Sequence, residues 1–257
     1  MKNGNLRVGT IMSFILGFGL YGSTFIIPLY TQSTLGWTAL QSGMLLVPAA
    51  ITTAIMMPLI GKLLQRGVSQ PLLVSLGLIV FFLYSFWGYK TLTADTGADA
   101  FFWMLIFRGI GLGLLFIPIT TLSLSTLKGQ QIGQGASFTG MMRQLGGSFG
   151  VAIITTFMTR RGQQHRSHLL ENYTADNPLF ESKWHALTNS FLAKGMPIDK
   201  AEAAAYKMMD YGIGKQAAVL SYMDVFLYLG ILFLICVPFV MMIKSSKQKV
   251  DLSAAAH

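Results

Sequence analysis

Three ionisable side chains interrupt otherwise apolar stretches: Arg108 in FWMLIFRGIGLGLLF, Arg143 in GASFTGMMRQLGGSFG and Asp224 in AAVLSYMDVFLYLG. An ionisable group in such a run costs at least a few kcal/mol in lipid, so it faces a bundle interior or a water-filled path and finds a partner. The chemistry open to it is gating, proton binding or contact with a polar ligand. At a rise of 1.5 Å per residue, Arg108 lies about 10 Å and Asp224 about 8 Å from the same end of their helices, so the two are expected to pair or compete for one neighbourhood. Asp224 is the only acidic residue in any apolar run. Two readings of the pair stay open: a gate or substrate contact, and a fixed ion pair that holds two helices together.

Arg143 lies about 15 Å in from the opposite end of its helix. Beside it, Gly133, Gly140 and Gly147, with Ser137 and Gln144 between them, follow a four-three spacing. That spacing makes one smooth helix stripe with a single amide at mid-depth, and Arg143 adjoins it with Gly146 and Gly150. Small residues let a neighbouring helix approach closely; the alternative is that Arg143 and Gln144 reach a central cavity. Gly109, Gly111 and Gly113 superficially resemble a dinucleotide loop, but that fingerprint needs a preceding strand and a later acidic residue, so close helix packing at Gly109 and Gly113 is expected. His165 and His168 have no third ligand nearby and read as part of a solvated basic face with Arg160, Arg161 and Arg166. No metal site and no cofactor is expected. The apolar runs hold neither a serine, histidine and carboxylate set nor paired carboxylates, which argues against an enzyme.

The elements that must position these residues follow from composition. Of 257 residues, 53% are hydrophobic and 11% charged, whereas a water-soluble domain carries charge on about a quarter of its residues. The chain is an all-helical integral membrane domain. Its net charge of +9 fits the gathering of Lys and Arg at cytoplasmic helix ends, so nucleic acid is not an expected partner. The single cysteine, Cys236, excludes an intrachain disulfide.

A crossing helix needs about 20 apolar residues, and six runs qualify: approximately 8–30, 42–63, 72–89, 101–127, 132–158 and 219–243. Residues 159–218 are far more polar and are expected to form a loop outside the membrane. Within it Phe180, Trp184, Leu187 and Phe191 recur at helical spacing, and a second stretch opens with Asp199 and Glu202. Two short amphipathic helices are predicted there. With six crossings, Lys2, Arg7, Lys62, Arg66, Lys128, Lys244, Lys247 and Lys249 fall on one side and only Lys90 falls in a short loop on the other. Both termini are therefore expected in the cytoplasm and the 159–218 loop outside. Comparing positions 90 apart aligns Gly19, Pro28 and Thr31 with Gly109, Pro118 and Thr121, which suggests an inverted three-plus-three repeat.

The runs FRGIGLGLLFIPITTLSLSTL from Phe107 and IGQGASFTGMMRQLGGSFGVAI from Ile132 resemble the later spans of major facilitator drug/proton antiporters of the fourteen-span EmrB/QacA type. FGLYGSTFIIPLYTQSTLGWTALQSGMLLVPAA from Phe18 is similar to the first span of their C-terminal half, and GKQAAVLSYMDVFLYLGILFLICVPFV from Gly214 to their last. The resemblance covers essentially the whole chain as a single membrane domain, a six-helix bundle that forms the C-terminal half of a major facilitator fold. It implies multidrug efflux by alternating access across the bacterial inner membrane, driven by a proton gradient, for amphipathic or cationic small molecules. It also implies partners: the N-terminal half or a second copy, the lipid bilayer, and by extension a periplasmic adaptor and outer-membrane channel. By analogy the first and fourth spans line the cavity, so Tyr30, Gln32, Arg108 and Phe116 are candidate pathway residues, with Arg143 and Gln144 from the fifth and Asp224 from the sixth. Gly61, Leu63 and Arg66 look like a worn copy of the loop motif between the second and third helices, with Gln65 at its acidic position. The competing expectation is a non-transporting remnant or accessory subunit that binds another transporter half.

Overall fold

A computed structural model describes residues 4–127, 129–171 and 178–241. Lys2, Lys128, Lys244, Lys247 and Lys249, which contribute to the orientation expected above, lie outside them. The described residues form helices and connections with no strand. In chain order the helices are α1 (Gly4–Ser33), α2 (Ala39–Met44), α3 (Val47–Gln65), α4 (Gln70–Thr91), α5 (Ala98–Leu124), α6 (Gln130–Glu171), α7 (Pro178–Ala193) and α8 (Ile198–Met241).

Five segments are long and apolar enough to cross a membrane: Leu6–Ser33, Ala39–Gln65, Gln70–Thr91, Ala98–Leu124 and Ile198–Met241. Their outer faces are as apolar as their inner ones. α3 presents Ile51, Ile55 and Leu59, and α8 presents Ile231, Ile235 and Phe239, all exposed, which suits lipid as the solvent. α6, at 42 residues, is long enough but carries Gly, Ser, Gln and Thr through its middle. The second expected run is broken at Leu45–Leu46 into α2 and α3. Thr38 caps α2 through a reciprocal capping box with Gln41, satisfying backbone donors that lipid could not.

α5 is central, packed on α1, α3, α4 and α6, while α8 fits between α4 and α6. The core is aromatic where α4, α5 and α8 meet α1. Phe81 stacks on Phe233 with ring centroids 4.2 Å apart, Tyr84 meets Phe226 edge-on, and Tyr30 meets Tyr222 at 5.2 Å.

The polar stretch 159–218 is less of a loop than its composition suggests. α7 coincides with the first predicted amphipathic helix. The second is no separate element: it is the opening half of the 44-residue α8. α6 likewise continues unbroken to Glu171. Ser33 at the end of α1 bonds to Tyr222, so α8 projects past the end of α1 by its residues 198–221, about 36 Å of helix. α7 packs on this projection, with Trp184 against Tyr206 at 5.6 Å, and Ala201 and Ala205 fully buried. A period-3.6 apolar face was legible; its continuation into a span was not, because Asp210, Gly212 and Gly214, which lie between Met209 and Val219, are residue types that ordinarily start or stop a helix.

The closest helix pair is α1 with α6, and glycine makes it possible. A methyl group placed on Gly17 of α1 would fall on the Arg143 carbonyl, and one on Gly146 of α6 would fall on the Phe14 carbonyl. One on Gly150 would sit 3.0 Å from the Phe18 carbonyl oxygen. Backbone meets backbone, an approach that in lipid supplies the dispersion contact which holds helices together. Gly109 and Gly113 do the same for α5 on α3, against Ala49, Thr52 and Met56. Gly147 accommodates the Tyr21 ring. Gly133 and Gly140 depart from the packing role expected of them, since nothing lies within 4 Å of the position of an added methyl.

Gly17→Val is expected to destabilise the bundle by about 2 kcal/mol through overpacking, read as a fall of about 5 °C in thermal midpoint in detergent. Gly212→Ala, on an open helix surface, is expected to leave the midpoint unchanged or raise it slightly. Equal effects of the two substitutions would contradict the backbone contact.

Candidate functional site

Arg108 sits inside the bundle, 5% exposed. Its Nε donates to Ser23 Oγ at 2.9 Å, and one terminal nitrogen donates to Thr24 Oγ1 and to the Leu20 carbonyl at 3.4 Å. Ser23 and Thr24 in turn donate to the same carbonyl. A buried guanidinium must spend its donors on acceptors, and here a hydroxyl pair one turn after Leu20 supplies them. Arg108 thereby pins α5 to α1. Thr53 adds a second polar tie, from α3 to the Gly109 carbonyl at 3.1 Å.

Arg143 is held differently. Its side chain crosses from α6 to α5, where the guanidinium lies 4.2 Å from the centroid of the Phe116 ring and donates to Thr120 Oγ1 at 3.2 Å. Its Nε is buried with no partner. The next residue, Gln144, is exposed and accepts from the Tyr21 hydroxyl at 2.8 Å. Tyr21, Phe25, Pro28 and Gln32 recur at helical spacing on α1, and Gln32 is exposed. Beside them Thr24, Phe25, Pro28, Leu29, Gln32 and Ser33 line an open cleft of about 530 Å³. Thr24 is therefore shared: it lines the cleft and carries Arg108 on its hydroxyl.

Two expected pathway residues take other positions. Tyr30 is fully buried, its hydroxyl donating to the Thr93 carbonyl and lying 3.3 Å from Thr96 Oγ1. It anchors α1 to the α4–α5 connection. Asp224 does not meet Arg108. Because α8 packs between α4 and α6, the carboxylate faces the extension of α6. There its Oδ2 receives Arg161 Nε at 3.2 Å and lies 2.8 Å from His165 Nε2. Arg161 also donates to the Tyr228 hydroxyl at 2.9 Å. The residue after His165, Arg166, pairs with Asp210. His165 is thus no member of a merely solvated basic face. The spacing of Arg161 and His165, four residues apart on one helix, was the available signal, but it needed the knowledge that α6 runs on past the apolar segment. Ser23, Thr24, Tyr21 and Thr120 were likewise missed, as single hydroxyls in spans carry no sequence signature. Gln32, Phe116, Arg143 and Gln144 are on or beside the open face.

Residues 2–151 match the Major Facilitator Superfamily. The chain belongs to that superfamily. This major facilitator chain is 29% identical over 222 residues to the uncharacterized MFS-type transporter YhcA of Bacillus subtilis, covering 86% of this chain and 41% of that protein. It is 28% identical over 244 residues to the fatty acid resistance protein FarB of Neisseria gonorrhoeae, covering 95% of this chain and 46% of that protein. It is 25% identical over 227 residues to the multidrug export protein EmrB of Escherichia coli, covering 88% and 42% respectively. The major facilitator chain thus spans less than half the length of these relatives. Membership, with several membrane-length helices, makes it a multi-pass membrane protein.

The Asp224 contacts give a direct test of how they act. Asp224→Asn is expected to cost about 2 kcal/mol, the worth of charge-assisted bonds at a partly buried site. Arg161→Gln should cost a similar amount. In a double-mutant cycle the two should couple by about 1 kcal/mol; additivity would mean that the ion pair does not tie α6 to α8.

Proposed function

We propose that this chain forms one wall of an alternating-access pathway for proton-coupled efflux of amphipathic organic compounds. The observation that carries the reading is the open face of α1 and α6. Among the apolar spans, this face combines Tyr21, Gln32, Gln144 and a partly exposed Arg143 with the Phe25 and Phe116 rings. An amphiphile needs both kinds of contact, and adaptable apolar walls suit ligands of varied shape. The names of the relatives, multidrug export and fatty acid resistance, are compatible with such molecules. Energy comes from the proton gradient, with no bound cofactor, and the chain carries no enzymatic chemistry.

In this reading α6 is a sixth crossing, since it lies along α1 from Phe14 to Tyr21 and so shares its depth. The membrane is the bacterial inner membrane, both termini lie in the cytoplasm, and the α7 end projects outward. The open face then meets the rest of a longer transporter, or a second copy, and the projecting α7–α8 hairpin is the surface available to a periplasmic adaptor leading to an outer-membrane channel. The relatives' greater length supports the first arrangement. A non-transporting accessory role is the alternative, and no feature of the open face favours it.

The test begins with the native polypeptide in source-cell membranes, detected through an epitope after His257. A band of about twice the 28.2 kDa of this chain is expected. That polypeptide, reconstituted in liposomes, should move a lipophilic dye against its gradient when a proton gradient is imposed and stop when a protonophore collapses it. Asp224→Asn should leave the pH dependence of flux unchanged if its carboxylate is structural. Absence of flux, with co-purification of a second polypeptide, would replace the transport reading with the accessory one.

A further inference from the structure

A second recess lies on the other side of α6 from the open face. Ile153 comes nine residues after Gln144, about two and a half turns of helix, so the two side chains leave α6 in opposite directions. Phe18, Ile153, Ile154, Phe157, Tyr228 and Leu232 are among the side chains lining a cleft of about 260 Å³ where α6 and α8 meet over α1. The Tyr228 hydroxyl is the one polar side-chain group of that lining. Ile153, Tyr228 and Leu232 are exposed, and Ile231, Ile235 and Phe239 continue the same apolar surface along α8. The cleft therefore opens toward lipid.

The end of the cleft nearer α7 is basic. The Arg161 guanidinium lies 5.6 Å from the centroid of the Phe157 ring and 5.8 Å from that of Tyr228. It donates through Nε to Asp224, through Nη1 to Gln164 at 3.1 Å and through Nη2 to Tyr228. A guanidinium has five N–H groups, so one on each terminal nitrogen is left, on a side chain 34% exposed. Arg160 continues the stripe of Ile153 and Phe157, is exposed, and has no polar partner among the described residues. The charges around it are already balanced: Arg161 and His165 by Asp224, Arg166 by Asp210, Lys215 by Asp95. α1 carries no charge from Val8 to Ser33. Arg160 is thus the uncompensated cation at this end. Depth fits a lipid: Ser33, the last residue of α1, bonds to Tyr222, and Asp224 and Leu232 lie about 3 and 15 Å deeper along α8. The thirty residues of α1 make about 45 Å, the bilayer thickness with headgroups. The guanidinium groups therefore stand at phosphate level, and the cleft runs inward among the acyl chains of one leaflet.

We propose that this cleft holds an acyl chain of an anionic phospholipid, with the lipid phosphate bound by Arg160 and Arg161. Planar guanidinium forks match pairs of phosphate oxygens, and the contacts of Arg161 with Asp224 and Tyr228 hold its fork in place over the mouth of the cleft. The excess charge of Arg160 selects the headgroup. Phosphatidylglycerol brings a net negative charge, whereas a zwitterionic headgroup brings its own cation, which Arg160 repels. The bound lipid bridges α6 and α8 on the side away from the open face. The site is independent of what the transporter carries.

The experiment uses the native polypeptide in phosphatidylcholine nanodiscs that carry a trace of one of two photoactivatable lipids, phosphatidylglycerol or phosphatidylcholine with the same diazirine-bearing chains. After irradiation the labelled residues are mapped by peptide mass spectrometry. Adducts of the glycerol lipid are expected within residues 153–157 of α6 and 225–232 of α8, at about fivefold the yield of the choline lipid, the effect of one charge near a headgroup. Unlabelled phosphatidylglycerol should compete them away. Glycerol phosphate, which has the phosphate but no chain, should not. Arg160→Gln should bring the two lipids to equal yield, and Arg160→Lys, which keeps the charge, should retain most of the preference. Neither substitution should move the thermal midpoint in pure phosphatidylcholine, because Arg160 ties no helices together, and this separates loss of the site from misfolding. Equal yields in the unsubstituted polypeptide, or an unchanged preference in Arg160→Gln, overturns the proposal. So does competition by glycerol phosphate, which would reduce the site to a phosphate contact. Absence of adducts at these residues also overturns it, and would mean that another part of the polypeptide covers the cleft.

Discussion

In lipid a leucine gains almost nothing by leaving the solvent for a helix interface, because the tails around it are as apolar as the interface itself. The bundle must therefore be held by contacts that lipid cannot imitate, and the α1–α6 crossing shows what these are. Gly17, Gly146 and Gly150 bring two backbones together. The site depends on that proximity: with α6 so close, the Arg143 side chain reaches across to Phe116 and Thr120 on α5, and Gln144 reaches Tyr21 on α1. Larger side chains at those glycines would separate the helices and pull the guanidinium off its ring.

The second kind of contact is the buried polar tie, and its cost explains where it occurs. Arg108 could not remain inside the bundle with unsatisfied donors, so α1 offers Ser23, Thr24 and the Leu20 carbonyl at one level. Asp224 is served by Arg161 and His165 at the α7 end. The two ties differ in kind. At Asp224 opposite charges meet and the local field largely cancels, so the contact clamps helices. At Arg108 a cation meets only dipoles, and its net charge persists into the neighbouring cleft. The same distinction separates a structural ion pair from a charge that can act on a ligand.

How much of this was legible in the sequence depends on whether a feature is set by one helix or by two. Composition and run length gave the membrane and the helical class, because lipid imposes both on every span independently. The glycines of α5 were legible as packing sites for the same reason: Gly109 and Gly113 mark one face of one helix. Gly133 and Gly140 belonged to an equally good stripe, yet they face open space, since whether a partner helix covers a face is a property of the pair. Depth alone placed Asp224 beside Arg108; azimuth decided otherwise, and azimuth is not encoded in distance from a helix end. Tyr30 was read as a polar group near the cavity, whereas its hydroxyl closes the α4–α5 connection, a partner 63 residues away in sequence. Family resemblance carried the transporter assignment further than any single residue could.

The distribution of charge along the helix axes has a mechanical consequence. Carboxylates, and the cations that pair with them, concentrate toward the α7 end, where α6 and α8 are joined at Asp210 beyond the end of α1 and at Asp224 just inside it. Toward mid-depth the contacts become glycine on carbonyl and ring on ring, which slide and rock at less cost than ion pairs break.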